Sequence, residues 1–200
     1  MAVAGAVKST SIANDAALCE VAAVFLREFF SGTARQRSRR LAKAPFRAIQ
    51  AAALRHPDPF TRKQCLFFLD HYANDQSIAV FRAALEDPVD FVRNLAMHSL
   101  ACTSCKLEAL DTAEVVPGLV QVISSDPRPD LRLRAISMLL HLAPGDGGAR
   151  MALETAATND PDPLTRRAAL GALQGRFVAP RKRYERHQRT HAGTARRIGS

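Results

Sequence analysis

Apolar residues recur every three to four positions along most of this chain, and the breaks between runs fall at prolines and small polar residues. That spacing sets apolar side chains on one face of an α-helix. It predicts helices over 15–30, 41–54, 78–85, 115–123 and 149–157. A further helix follows each of Pro57, Pro88, Pro127 and Pro161, and turn formers at 73–75 and 144–148 separate the resulting pairs.

The four prolines head one recurring pattern. An acid or His precedes Pro; three variable residues, a Val, Leu or Thr, and an Arg follow; then come a small residue and a closing Leu. The copies run His56-Pro57 to Thr61-Arg62, Cys65 and Phe68-Leu69; Asp87-Pro88 to Val92-Arg93, Ala96 and Ser99-Leu100; Asp126-Pro127 to Leu131-Arg132, Ala135 and Met138-Leu139; and Asp160-Pro161 to Thr165-Arg166, Ala169 and Ala172-Leu173. The prolines are 31, 39 and 34 residues apart, the longest interval containing an irregular loop at 102–112. Pro turns the chain because it disfavours helical backbone in the residue before it. The acid before it is suited to cap the next helix. The small residue admits a neighbouring helix, and Leu fills the space beside it.

This pattern resembles the HEAT repeat, most closely the short bacterial variety that includes phycobilin-lyase-type repeats, over about residues 41–175. The resemblance implies an all-α fold: a right-handed α-solenoid of about four helical hairpins, at 41–71, 75–101, 112–142 and 147–175. It implies that the helices after the turns, 60–71, 89–101, 128–142 and 162–175, line a concave face. It also implies that Asp87, Asp126 and Asp160 form a hydrogen-bonded ladder with Arg62, Arg93, Arg132 and Arg166, from which His56 departs. A helix over 15–30 is expected to cap the first hairpin, because a terminal repeat needs a cover. Residues 1–13 are read as a flexible N-terminus and 176–200 as a basic, disordered tail.

Family members act mostly as scaffolds or adaptors. The first functional reading is therefore a non-catalytic module that holds a protein partner in its groove. Helical phase nominates Lys63, Phe67, Asn94, His98, Leu133, Ser137, Arg167 and Gln174, with Phe67 as an anchor if exposed. The enzymes of the family fit poorly. A HEAT-like hydroxylase needs His-Glu pairs for iron, and none occurs here; HEAT-like glycosylases use aromatic residues around a base, and this chain has no Trp. No phosphate loop, nucleophile elbow or zinc-protease motif is present.

Composition narrows this further. The chain has 200 residues, 47% hydrophobic and 6% aromatic, which suits one domain of helices packed through aliphatic side chains. No apolar run approaches the roughly 18 residues needed to cross a bilayer, and the first residues lack a secretory pattern, so a cytoplasmic location is expected. The net charge of +9 is uneven: 31–55 holds seven basic residues and no acid, and 176–200 holds eight against one. Arg35, Arg37, Arg39, Arg40, Lys43 and Arg47, with Arg181, Lys182, Arg183, Arg186, Arg189, Arg196 and Arg197, offer a second reading: a nucleic-acid-associated protein neutralising phosphates, with Tyr184 for stacking. The alternative is a solvated face that aids solubility.

Of four cysteines, Cys19 and Cys65 read as buried small hydrophobes. Across the repeats His71, Cys102 and His141 fall at equivalent positions. His98 precedes Cys102 by one turn, and Cys105 follows it by three residues. This set offers a third reading, a mixed Cys/His site for Zn²⁺ or a redox-responsive thiol pair. Against it, the histidines are ordinary polar residues at helix ends and the thiols lie near a loop. His187 and His191 have the spacing of half a zinc finger but lack its cysteine pair.

Overall fold

Each proline-headed turn closes one helix and opens the next. The structure is a computed structural model that describes residues 3–72, 77–102, 104–105, 110–143 and 145–176. The described residues form helices joined by short turns, without a strand: α1 Val3–Ser31, α2 Ala34–Leu41, α3 Phe46–Arg55, α4 Pro59–Tyr72, α5 Ile78–Ala84, α6 Asp90–Ala101, α7 Thr112–Ser125, α8 Pro129–Leu142, α9 Gly147–Asn159 and α10 Pro163–Leu173. Among them no helix is long and apolar enough to cross a membrane.

Helix α1 begins at Val3, within the segment read as a flexible N-terminus; that segment carries several Ala and no Pro, and nothing in its sequence stops a helix. The helix expected over 41–54 breaks at 42–45, because Pro45 disfavours helical backbone at Ala44. The basic residues before the break form their own helix, α2, held at its start by a capping box: Gln36 N–H donates to Thr33 Oγ1 at 3.3 Å, and Thr33 N–H donates to Gln36 Oε1 at 2.8 Å.

The chain divides into two compact units, the first ending at Ala96 and the second beginning at Met97. In the first, α1 lies on α3 and α4, and α3 also meets α4 and α5. Its core is aromatic: Phe29 and Phe68 meet edge to face with centroids 5.0 Å apart, and Tyr72 stands 5.3 Å from Phe29. Asp15 ties α1 to α3 through Arg55 at 2.7 Å. The cover expected at the N-terminus is thus a helix fastened by two phenylalanines, Phe25 and Phe29, against Phe68. The low overall aromatic content conceals this, since nine of ten Phe lie between residues 25 and 91.

In the second unit α7 pairs with α8 and α9 with α10, while α7 also lies on α9 and α8 on α10. Like helix stacks on like. The buried stripe of α7 is Val115, Val116, Leu119, Val122 and Ile123, and Leu131, Ala135, Ile136, Met138 and Leu139 face it from α8. Small residues dominate the contact of α9 with α10 (Ala149, Ala152 and Ala156 against Ala169 and Ala172), so the two helices approach closely. Gly175, with φ of 66°, ends α10 in the left-handed turn that only glycine adopts without strain, and Arg176 N–H donates back to Gly171 O at 2.8 Å.

Within each unit an arginine locks one repeat to the next. Arg62 grips the Asp87 carboxylate with Nε at 2.6 Å and Nη2 at 2.9 Å. Arg132 grips Asp160 in the same way, both contacts at 2.7 Å. The remaining nitrogen, Nη1, turns to the carbonyl that ends the preceding helix: His56 O for Arg62 and Asp126 O for Arg132. Arg93 and Arg166 make that second contact too, to Asp87 O at 3.0 Å and Asp160 O at 2.6 Å. All four residues of the two forks are buried.

The acids before Pro do not cap the following helices, as the sequence suggested. Asp87, Asp126 and Asp160 each accept the N–H two residues on, bracing the turn. In the first and fourth repeats the cap falls to a second acid. Asp58 accepts from Phe60 N–H and Thr61 N–H, and Asp162 accepts from Thr165 N–H at 2.7 Å.

Burial alone would raise the Asp160 pKa, but the hydrogen bonds from Arg132 and from the Asp162 N–H outweigh it and hold the carboxyl below its usual range. The sign follows. Its contribution to stability is present above the ordinary carboxylate range and is lost as pH falls through the depressed folded value. Asp160→Ala should cost roughly 3–5 kcal/mol by leaving Arg132 buried and unmatched. Arg150→Ala, which removes an exposed pair with Glu154 at 2.9 Å, should cost under about 0.5 kcal/mol. Urea unfolding at neutral pH measures both, and Asp160→Asn should flatten the acid limb of the stability profile.

Candidate functional site

The helices that follow the turns carry the residues nominated for binding, and the repeat phase sorts them by exposure. At the sixth position after the turn proline stand Lys63, Asn94, Leu133 and Arg167: Lys63 and Arg167 are exposed, Asn94 and Leu133 half-buried. At the tenth position the chain is more enclosed. Phe67 and Ser137 are half-buried and His98 is buried at 7% exposure. Phe67 is therefore no exposed anchor. Its ring lies 4.3 Å from that of His71, whose Nδ1 is 2.9 Å from Phe67 O. Gln174 is exposed beyond the end of α10, beside Arg176.

The most exposed aromatic among the described residues is not one of those nominated positions. Phe60, 64% exposed, stacks on Phe91 with centroids 5.1 Å apart and planes inclined by 29°. Lys63 Nζ lies 5.7 Å from the Phe91 centroid, over the ring face. Both rings occupy the third position after a turn proline, in successive repeats, and Leu164 holds that position in the last repeat, 59% exposed. The repeat alignment contains this signal.

His98, counted among the groove residues, points elsewhere. It sits one turn before the end of α6, and the helical hydrogen bond from Cys102 N–H to His98 O, 2.8 Å, puts Cys102 on the same face. Cys105 lies beside both. Its Sγ is 3.0 Å from Cys102 Sγ and 3.3 Å from His98 Nε2. Hydrogen bonding from Cys105 and then from His98 lowers the Cys102 pKa well below that of an ordinary thiol, against the opposing effect of burial. Of the set proposed from sequence, these three come together in the second unit. His141 is exposed and is no part of that group, and His71 belongs to the first unit.

The basic segment before α3 is partly committed to structure. Arg37 donates to Gly32 O at 3.2 Å, and Arg40 donates to Glu28 O, so both close the end of α1. Arg35, Arg39, Lys43 and Arg47 are exposed. Arg39, Arg40 and Lys43, with Phe25 and Ala42, line an open cleft of about 560 Å³. Arg181, Lys182, Arg183, Arg186, Arg189, Arg196, Arg197, His187 and His191 lie outside the described residues.

A family model described as HEAT repeats matches residues 116–182. The match is to HEAT repeats in general and does not single out the phycobilin-lyase type. No curated protein and no solved structure matches the chain.

The four thiols should separate chemically. Burial pushes the Cys65 thiol up to about 12 and raises that of Cys19 as well. Cys65 therefore stays protonated near pH 8, and both side chains are at most 7% exposed. Iodoacetamide at pH 8 should leave Cys19 and Cys65 unmodified in the folded protein and label Cys105 first, by peptide mass spectrometry. Full labelling of Cys65 without denaturant would contradict its place in the core.

Proposed function

We propose that this chain, whose residues 116–182 match a HEAT-repeat family model, is a non-catalytic adaptor holding a protein partner on the helices that follow the proline turns. HEAT repeats generally mediate protein–protein interaction. The observation that carries the reading here is the Phe60–Phe91 stack with Lys63 across it. Exposed, rigid aromatic pairs are costly in water, and they recur as the anchors of protein interfaces. A cation beside them suits a partner that presents apolar side chains next to an acid.

Asn94, half-buried on α6 in the same unit, is polar and adjustable. The second unit, taken by itself, carries Leu133, Ser137, Leu164 and Arg167 on its own post-turn helices. The basic segment supplies the competing reading. Its exposed members, Arg35, Arg39, Lys43 and Arg47, would attract a nucleic acid through phosphate contacts that weaken steeply with salt.

The test is affinity capture from the native cell, with and without nuclease, using wild-type protein and a Phe60→Ser/Lys63→Glu variant. The proposal expects a protein retained by wild type regardless of nuclease. Its affinity for the variant should fall by about thirtyfold, the loss of roughly 2 kcal/mol typical of an anchor. Capture that vanishes with nuclease, or that the variant leaves intact, rejects it. Both substituted residues are exposed, so the thermal midpoint of the variant should match that of wild type.

A further inference from the structure

We propose that His98, Cys102 and Cys105 form a zinc-binding site in the second unit, independent of any partner surface. The donor atoms, one imidazole nitrogen and two sulfurs, all lie within 4.8 Å of one another. Donors around a tetrahedral Zn²⁺, at 2.0–2.3 Å from the metal, stand roughly 3.3–3.8 Å apart. The observed separations of 3.0 Å between the sulfurs and 3.3 Å between Nε2 and Cys105 Sγ need only a small outward relaxation to admit the ion.

The donor set also selects among ligands. It contains no carboxylate, which disfavours calcium and magnesium, and its mixture of thiolate and imidazole suits zinc. The alternative is a Cys102–Cys105 disulfide. That bond would require the sulfurs to close to about 2.05 Å and would give His98 no role, although His98 is buried with its ring against Cys105. Position on the helix argues the same way. The three residues gather at the C-terminal end of α6, where the partial negative charge of the helix favours a cation and opposes two uncompensated thiolates.

The exchange balances simply. Cys102 and Cys105 each release a thiol proton to solvent and bind as thiolates, and His98 offers the Nε2 lone pair while its proton resides on Nδ1. Three protein donors leave one tetrahedral position, which solvent fills. No electron transfer is involved.

The experiment uses the full chain, purified under reducing, oxygen-free conditions and loaded with Zn²⁺ or Co²⁺. Wild type should retain a single equivalent of zinc after dialysis. Its cobalt form should show thiolate-to-metal charge-transfer bands together with the intense visible bands of a tetrahedral centre. Cys105→Ser should lose those bands and bind zinc roughly tenfold or more weakly, a loss of the size seen on disturbing such sites. Cys105 is half-buried and outside the helix, so circular dichroism of the variant should be unchanged. A His187→Ala/His191→Ala variant should bind as wild type does, which separates the site from the tail. Equal zinc retention by wild type and Cys105→Ser, no retention by either, or a cobalt spectrum without thiolate bands overturns the proposal.

Discussion

A guanidinium buried between two repeats is the constraint from which the rest of this structure follows. Arg132 has three jobs that only its planar, five-donor head can perform together: a two-point grip on Asp160 and a bond to the Asp126 carbonyl. Arg62 repeats them with Asp87 and His56. Burying such a charge is unfavourable unless every donor is met. The turn, the proline that sharpens it and the acid that precedes it must therefore stand in fixed relation to the arginine five residues after that proline. Once they do, the spacing of one repeat against the next is set, and the aliphatic stripes on the paired helices meet without freedom to slide.

That coupling explains why the fold could be read so directly from the chain. Arginine, proline and acid sit at constant offsets, and the Ala and Leu positions between them have the helical period. Where a residue acts alone, legibility ended. Helix α1 carries no stop or start signal in its first dozen residues, so its length was hidden. Pro45 is a visible break, but α2 owes its start to a Thr33–Gln36 box that lies outside the proline-headed pattern. The caps at Asp58 and Asp162 were overshadowed by the acids of the ladder, though both occur in the same Asp-Pro-x-Thr stretch.

The candidate sites show the same division. Aligning repeats locates equivalent backbone positions, and Phe60 above Phe91 is one such pair. It does not say what surrounds a side chain. His71, Cys102 and His141 align by number, yet His141 is exposed to solvent at the end of α8 while Cys102 is buried beside His98. The approach of Cys105 to Cys102 and His98 lies beyond the end of α6, and no helical periodicity encodes it.

A stacked repeat is an unfinished object, since each end presents the surface that the next copy would occupy. His56 stands where the later repeats carry an aspartate, and its ring accepts from the Asp58 N–H two residues on, as the acids do from theirs. It keeps the bend but supplies no carboxylate for an incoming guanidinium. With α1 laid over α3 and α4, the first turn keeps its carboxylate at Asp58, where it caps α4, and not at the position from which the later acids meet an arginine.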